Sequence, residues 1–114
     1  MKKVIIDTSV WIQNERGGAP ELENLLREGR ALMHWTVYGE LAVGNIKNRT
    51  GFLSDLRMLE FCEELSPSAV FEQIEKDSLF GKGFSLVDCI LMASAKKQRA
   101  LIYSFEKRLN TFSG

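Results

Sequence analysis

The chain has a single histidine and only two cysteines among its 114 residues. Cys62 and Cys89 form no CxxC pair and have no histidine beside them, which excludes the usual zinc donor sets and any disulfide framework. Both are expected to be buried free thiols, in keeping with a reducing cytoplasm. Excess positive charge is also missing: 15 Lys and Arg face 15 Asp and Glu. No global field therefore draws nucleic acid to the surface, and binding of that kind must use a local patch. No run approaches the roughly 18 apolar residues of a membrane span. Met1-Lys2-Lys3 leads into only three apolar residues before an acid, too short for the apolar region of a signal peptide. Internal repeats, low-complexity segments and linkers are absent as well.

What is there reads as one globular domain over residues 1–114, with 45% hydrophobic and 26% charged residues, enough for a real core. Val4-Ile5-Ile6 is a continuous apolar run of the kind buried on both faces of a parallel sheet, and it stops at Asp7. Open parallel sheets place their ligand chemistry outside the carboxyl ends of the strands, where Asp7 projects. Asp7 equally suits the N-cap of a helix beginning near Ser9. After a loop at Gln13 to Pro20, Leu22, Leu25 and Leu26 predict a helix over Glu21 to Glu28, closed by Gly29. Ala31 to Trp35 is a second strand candidate, so strand, helix and strand imply a right-handed parallel crossover.

Thr36 is a plausible N-cap for a helix running to about Ile46 that carries Glu40. Asn45 to Gly51 reads as a polar joint, Phe52 to Phe61 as an amphipathic helix, and Leu65 as part of a short strand. Ser66-Pro67 opens a further helix toward Leu79. Phe80-Gly81-Lys82-Gly83-Phe84 is a glycine-flanked basic turn that could hold an anion or be only a turn. Leu86 to Ala95 is apolar on nearly every side, which predicts a buried helix with Asp88 in its first turn. A buried carboxylate there needs a partner, and Ser85-Leu86-Val87-Asp88 also resembles a capping box. Ala100 to Ser104 is the last strand, followed by Glu106.

Asp7 and Glu106 thus follow strands, while Asp88 and Glu40 sit early in helices, and all four can converge on the carboxyl edge of one sheet. Clustered carboxylates repel unless a cation lies among them or some are protonated. All-oxygen donors suit Mg²⁺ or Mn²⁺. His34 reads as a packed strand residue. Lys47, Arg49, Lys82 and the Lys96-Lys97-Arg99 group are candidates to hold phosphates or are ordinary surface charges.

The order Asp7-Thr8-Ser9, Glu40-Leu41-Ala42-x-Gly44-Asn45, Asp88-x-x-Leu91-x-Ala93-Ser94-Ala95 and Leu101-x-Tyr103-Ser104-x-Glu106-Lys107-Arg108-Leu109 resembles PIN-domain ribonucleases, specifically the VapC-type toxins of toxin-antitoxin pairs. The resemblance covers nearly the whole chain. It implies a three-layer α/β/α sandwich with a central parallel sheet. It also implies a divalent-metal endoribonuclease using Mg²⁺ or Mn²⁺, usually a homodimer restrained by a small antitoxin. Asp7, Glu40 and Asp88 match the first three acids of that family, which the resemblance makes catalytic and metal-binding. Glu106 falls where the fourth is usually aspartate, a departure that adds one methylene. Thr8, Ser9 and Ser104 would supply hydrogen bonds that orient the acids. Two rivals stay open. A phosphoacceptor domain would need a pair of acids near the first strand and a mid-chain acceptor aspartate, and the middle offers only Asp55. A PIN-like protein-binding module without catalysis would tolerate Glu106.

Overall fold

Four short strands form one wholly parallel sheet: β1 (Val4–Ile6), β2 (Ala31–Met33), β3 (Glu60–Phe61) and β4 (Leu101–Tyr103), in the order β3-β2-β1-β4. This computed structural model describes residues Met1–Gly114. The first and last strands of the chain lie side by side, with Val4 opposite Leu101, Ile5 opposite Ile102 and Ile6 opposite Tyr103. On the other side of β1, Val4 faces Ala31 and Ile5 faces Leu32. Every residue of β1 and β2 is buried, the pattern required of central parallel strands covered on both faces.

Six helices connect the strands: α1 (Thr8–Glu15), α2 (Pro20–Arg27), α3 (Trp35–Val43), α4 (Arg49–Leu56), α5 (Pro67–Lys76) and α6 (Leu86–Gln98). From β1 the chain steps to β2 and on to β3 in one direction, then returns past both to β4 on the far side. Right-handed crossovers put the helices of the outward steps on one face and those of the return on the other. The packing agrees, since α1 meets α2 and α3, α3 meets α4, and α5 lies against α6. The result is the expected α/β/α sandwich. Reversal of direction makes a topological switch point between β1 and β4, the crevice where such sheets take ligands.

The predicted helices over 21–28, from Ser66-Pro67 and from Leu86 are present. Pro20 and Pro67 occupy first turns, where a missing N–H costs nothing, and Gly29 closes α2 with φ of +68°. Several boundaries differ from expectation. β2 ends at Met33, and the N-cap of α3 is His34 rather than Thr36; α3 itself stops at Val43, short of Ile46. The expected helix over 52–61 is instead α4, which begins inside the polar joint and ends at Leu56, followed by β3 at Glu60–Phe61; Leu65 lies in no strand. Helix α6 is not buried all round: Cys89, Leu91, Ala93, Ser94 and Ala95 turn inward while Leu86 is 59% exposed. Trp11, 4% exposed, belongs to the core and packs edge-on against Phe52, whereas Trp35 is 51% exposed. Both cysteines are buried free thiols, and burial pushes the Cys62 thiol up to about 11. No helix is long and apolar enough to cross a membrane.

Candidate active site

Asp7 follows β1 directly, and its N–H extends the ladder by donating to the Tyr103 carbonyl at 3.0 Å. It holds the N-cap position of α1 in extended conformation, yet its side chain makes no capping bond. The carboxylate is used otherwise. Its Oδ2 accepts the Ser104 hydroxyl at 2.8 Å and the Ser9 hydroxyl at 2.9 Å. Those two hydroxyls are themselves held by the segment after β4: Ser104 Oγ accepts the Glu106 N–H at 2.9 Å, and Ser9 Oγ accepts the Phe105 N–H at 3.2 Å. Backbone therefore orients hydroxyls, and hydroxyls orient the acid, at the switch point between β1 and β4.

Glu40 lies on α3, the neighbour of α1, and Thr8 at the start of α1 donates its hydroxyl to Glu40 Oε1 at 2.7 Å. Asp88 forms a complete capping box with Ser85: the Ser85 N–H reaches Asp88 Oδ2 at 3.1 Å, and the Asp88 N–H reaches Ser85 Oγ at 3.0 Å. The structural explanation for Asp88 thus holds, and since the residue is only half-buried, no burial cost demands a further partner. Glu106 lies in the turns after β4, where Arg108 donates to its Oε1 from the backbone N–H at 3.0 Å and from Nε at 3.1 Å. Those bonds hold the Glu106 carboxyl below the ordinary glutamate range.

One pattern unites the four acids. In each, a single oxygen accepts the protein's hydrogen bonds and the other accepts none. A carboxylate tied on one side has a fixed orientation and a lone oxygen left for another ligand. The four do not close into a cage, since no three acidic, histidine or cysteine side chains come close enough to hold one ion together. The donor chemistry still fits a hard cation of the magnesium type, which keeps several waters and takes one or two carboxylates together with substrate phosphate.

Two features have little or no signal in the sequence. Arg108 stacks over the Phe84 ring at 4.6 Å and also donates to the Lys82 carbonyl. It thereby joins the Glu106 turn to the glycine turn ahead of α6, where Gly81 and Gly83 have φ of +70° and +83°. Its position two residues after an acid was the one available signal. The other feature is a cavity of about 430 Å³ between the end of α1 and the α3–α4 joint, lined by Ile12, Glu40, Leu41, Lys47 and Phe52 among others. Of the basic candidates, Lys47 lines that cavity, as Glu40 does. Arg49 bonds the Ala42 carbonyl at 2.9 Å, and Lys96 is paired with Asp77 at 2.9 Å.

Among known proteins, Ribonuclease VapC32 of Mycobacterium tuberculosis, from strains CDC 1551 / Oshkosh and ATCC 25618 / H37Rv, is 34% identical over 107 residues, 93% of this chain and 86% of that protein. The chain belongs to the PIN-domain VapC family. No family model matches it. Within a VapC-family chain, the tie between Asp7 and Ser104 joins the first strand of the fold to the last, and Thr8 joins α1 to α3. The acid positions noted in the sequence accordingly lie on four separate elements or turns, each oriented by a hydroxyl, a backbone N–H or a guanidinium.

Proposed function

We propose that this protein is an endoribonuclease that uses Mg²⁺ or Mn²⁺ to hydrolyse RNA phosphodiester bonds, as the toxin of a toxin-antitoxin pair. It acts as a single PIN-like nuclease domain spanning residues 1–114, in the cytoplasm. The observation that carries the reading is Asp7, fixed by two hydroxyls on one oxygen and unbonded on the other at the switch point of the sheet. Membership of the VapC family supports it independently.

Asp7, Glu40, Asp88 and Glu106 are the carboxylates from which one or two would hold the ion together with substrate phosphate. When bound, it supplies Lewis-acid stabilisation of phosphoryl charge and a more acidic water. Thr8, Ser9 and Ser104 keep the acids oriented, so that little reorganisation is needed when RNA arrives. Lys47, Arg49 and Lys82 hold phosphates flanking the scissile bond through local charge, as a chain with no net charge requires. Cleavage leaves a 5′-phosphate and a 3′-hydroxyl. The protein works as a homodimer restrained by a small antitoxin, and exposed Trp35, Phe61 and Leu86 are side chains that such partners would cover.

Incubating pure protein with total RNA in Mg²⁺, Mn²⁺ or EDTA, then mapping the new ends, tests the reading. Metal-dependent cuts bearing 5′-phosphates are expected; cleavage undiminished by EDTA in a preparation free of other nucleases overturns it. A second reading, a PIN-like protein-binding module without catalysis, is favoured by one observation, the absence of three acids close enough to share an ion. The same assay decides, since that module cuts nothing under any condition.

A further inference from the structure

The two helices that carry Glu40 and Asp88 share no broad interface: α3 packs on α1 and α4, while α6 packs on α5 and β4. One side-chain hydrogen bond connects them, and it runs through the chain's single histidine. His34, 1% exposed, caps α3 by accepting the Thr36 N–H on Nδ1 at 3.1 Å. With Nδ1 accepting, the ring proton sits on Nε2, which lies 2.9 Å from the Ser94 hydroxyl in the middle of α6. Ser94 is likewise 1% exposed and Thr36 is buried, so no solvent competes for these bonds. Glu40 lies six residues after His34 and Asp88 six residues before Ser94, on rigid helices with about 1.5 Å of rise per residue.

The geometry points to His34 as a positioning residue that sets Glu40 against Asp88 by tying the cap of α3 to the body of α6. It touches neither substrate nor metal; it acts through Ser94 and the two helices. A strand-end residue would normally need only to cap the next helix, a task for which serine, threonine, aspartate or asparagine serve better. Histidine adds reach, a donor on the far side of the ring from its acceptor, and thereby spans to a second helix 60 residues away in sequence. The inference rests on the proposed reading of the acids as a metal site.

His34→Asn keeps a capping oxygen but is too short to reach Ser94; Ser94→Ala cuts the same link from the other side and suits a buried helix position. Each variant, and the two together, is compared with the wild type by Mn²⁺ titration calorimetry without RNA, by kcat and KM for RNA cleavage, and by thermal melting. Each single change is expected to weaken Mn²⁺ binding and lower kcat about tenfold with KM unchanged, and the pair to be no worse than either alone. If melting temperatures fall while Mn²⁺ affinity and kcat stay at wild-type levels, His34 is only structural and the inference is overturned; additive losses overturn it too. If His34→Asn does not fold, Ser94→Ala alone decides between the two outcomes. Failure of the wild type itself to bind Mn²⁺ or cut RNA overturns the underlying reading, a result distinct from either.

Discussion

Asp7 and Asp88 each precede or open a helix and each looks, in sequence, like a cap; the structure separates them. Asp88 closes a box with Ser85, three residues away, and that bond would exist in any helix with the same first turn. Asp7 has the N-cap position and declines the role, accepting instead hydroxyls from Ser9 and from Ser104, 97 residues distant. A local bond explains a residue by its own helix. One that spans the chain and leaves an oxygen free needs a reason outside secondary structure.

Removing the charge at both positions breaks the comparison where it is strongest. Asp7→Asn is expected to reduce RNA cleavage more than about hundredfold, beyond what loss of an orienting partner usually costs, while its melting temperature in EDTA holds or rises. Asp88→Asn should also lose cleavage, but its melting temperature should fall, since it gives up the charged acceptor of the capping-box bond from the Ser85 N–H, which Asp7 does not make. Equal melting behaviour of the two variants would show that the caps are not different in kind.

His34 provides a contrast of another sort, a cap that does its work neutral. Burial lowers its pKa from 6.5 to about 4. Protonation therefore favours the unfolded chain, so the stability held above pH 6.5 is lost as pH falls from 6.5 to 4 and the loss levels off below that. Wild type should lose about 3 kcal/mol more than His34→Asn between pH 7 and pH 4, read from denaturant midpoints at each pH. Parallel curves would show that the ring titrates in the folded protein as it does in the unfolded chain.

Glu106 should give the smallest effect. Its tie to Arg108 is exposed and two residues long in sequence, closer in kind to the Asp88 box than to the Asp7 network. Glu106→Gln should lower single-turnover cleavage less than Asp7→Asn, and Glu106→Asp should retain or improve it. Losses equal to those of Asp7→Asn would rank it with the core of the site.

Much of this was readable from the chain. The apolar runs at Val4–Ile6 and Leu101–Tyr103, the Pro-opened helices and the Ser85 box were all visible, because local pattern and final burial agree there. What was hidden depended on distant partners. β3 is two exposed residues long and owes its existence to pairing with Leu32 and Met33, so it carries no alternation of its own. Thr36 reads in the sequence as the cap and His34 as a packed strand residue, and the bond that gives the histidine its second partner, Ser94, lies far along the chain. Ser85, Thr8, Ser9 and Ser104 can be named beside the acids from the sequence, whereas the tie of Glu106 to Arg108, with the stacking of Arg108 on Phe84, cannot.

The pairing of the first strand with the last also sets an order of events during synthesis. Asp7, Glu40 and Asp88 all leave the ribosome before β4 exists, and Asp7 lacks Ser104 until the chain has grown past β4. Contacts of such long sequence separation form late. An unfinished or truncated chain ending before Leu101 carries three of the four acids with its central strand unpaired on one side, and so has no oriented Asp7. An oriented Asp7 would arrive only with the last strand of the sheet.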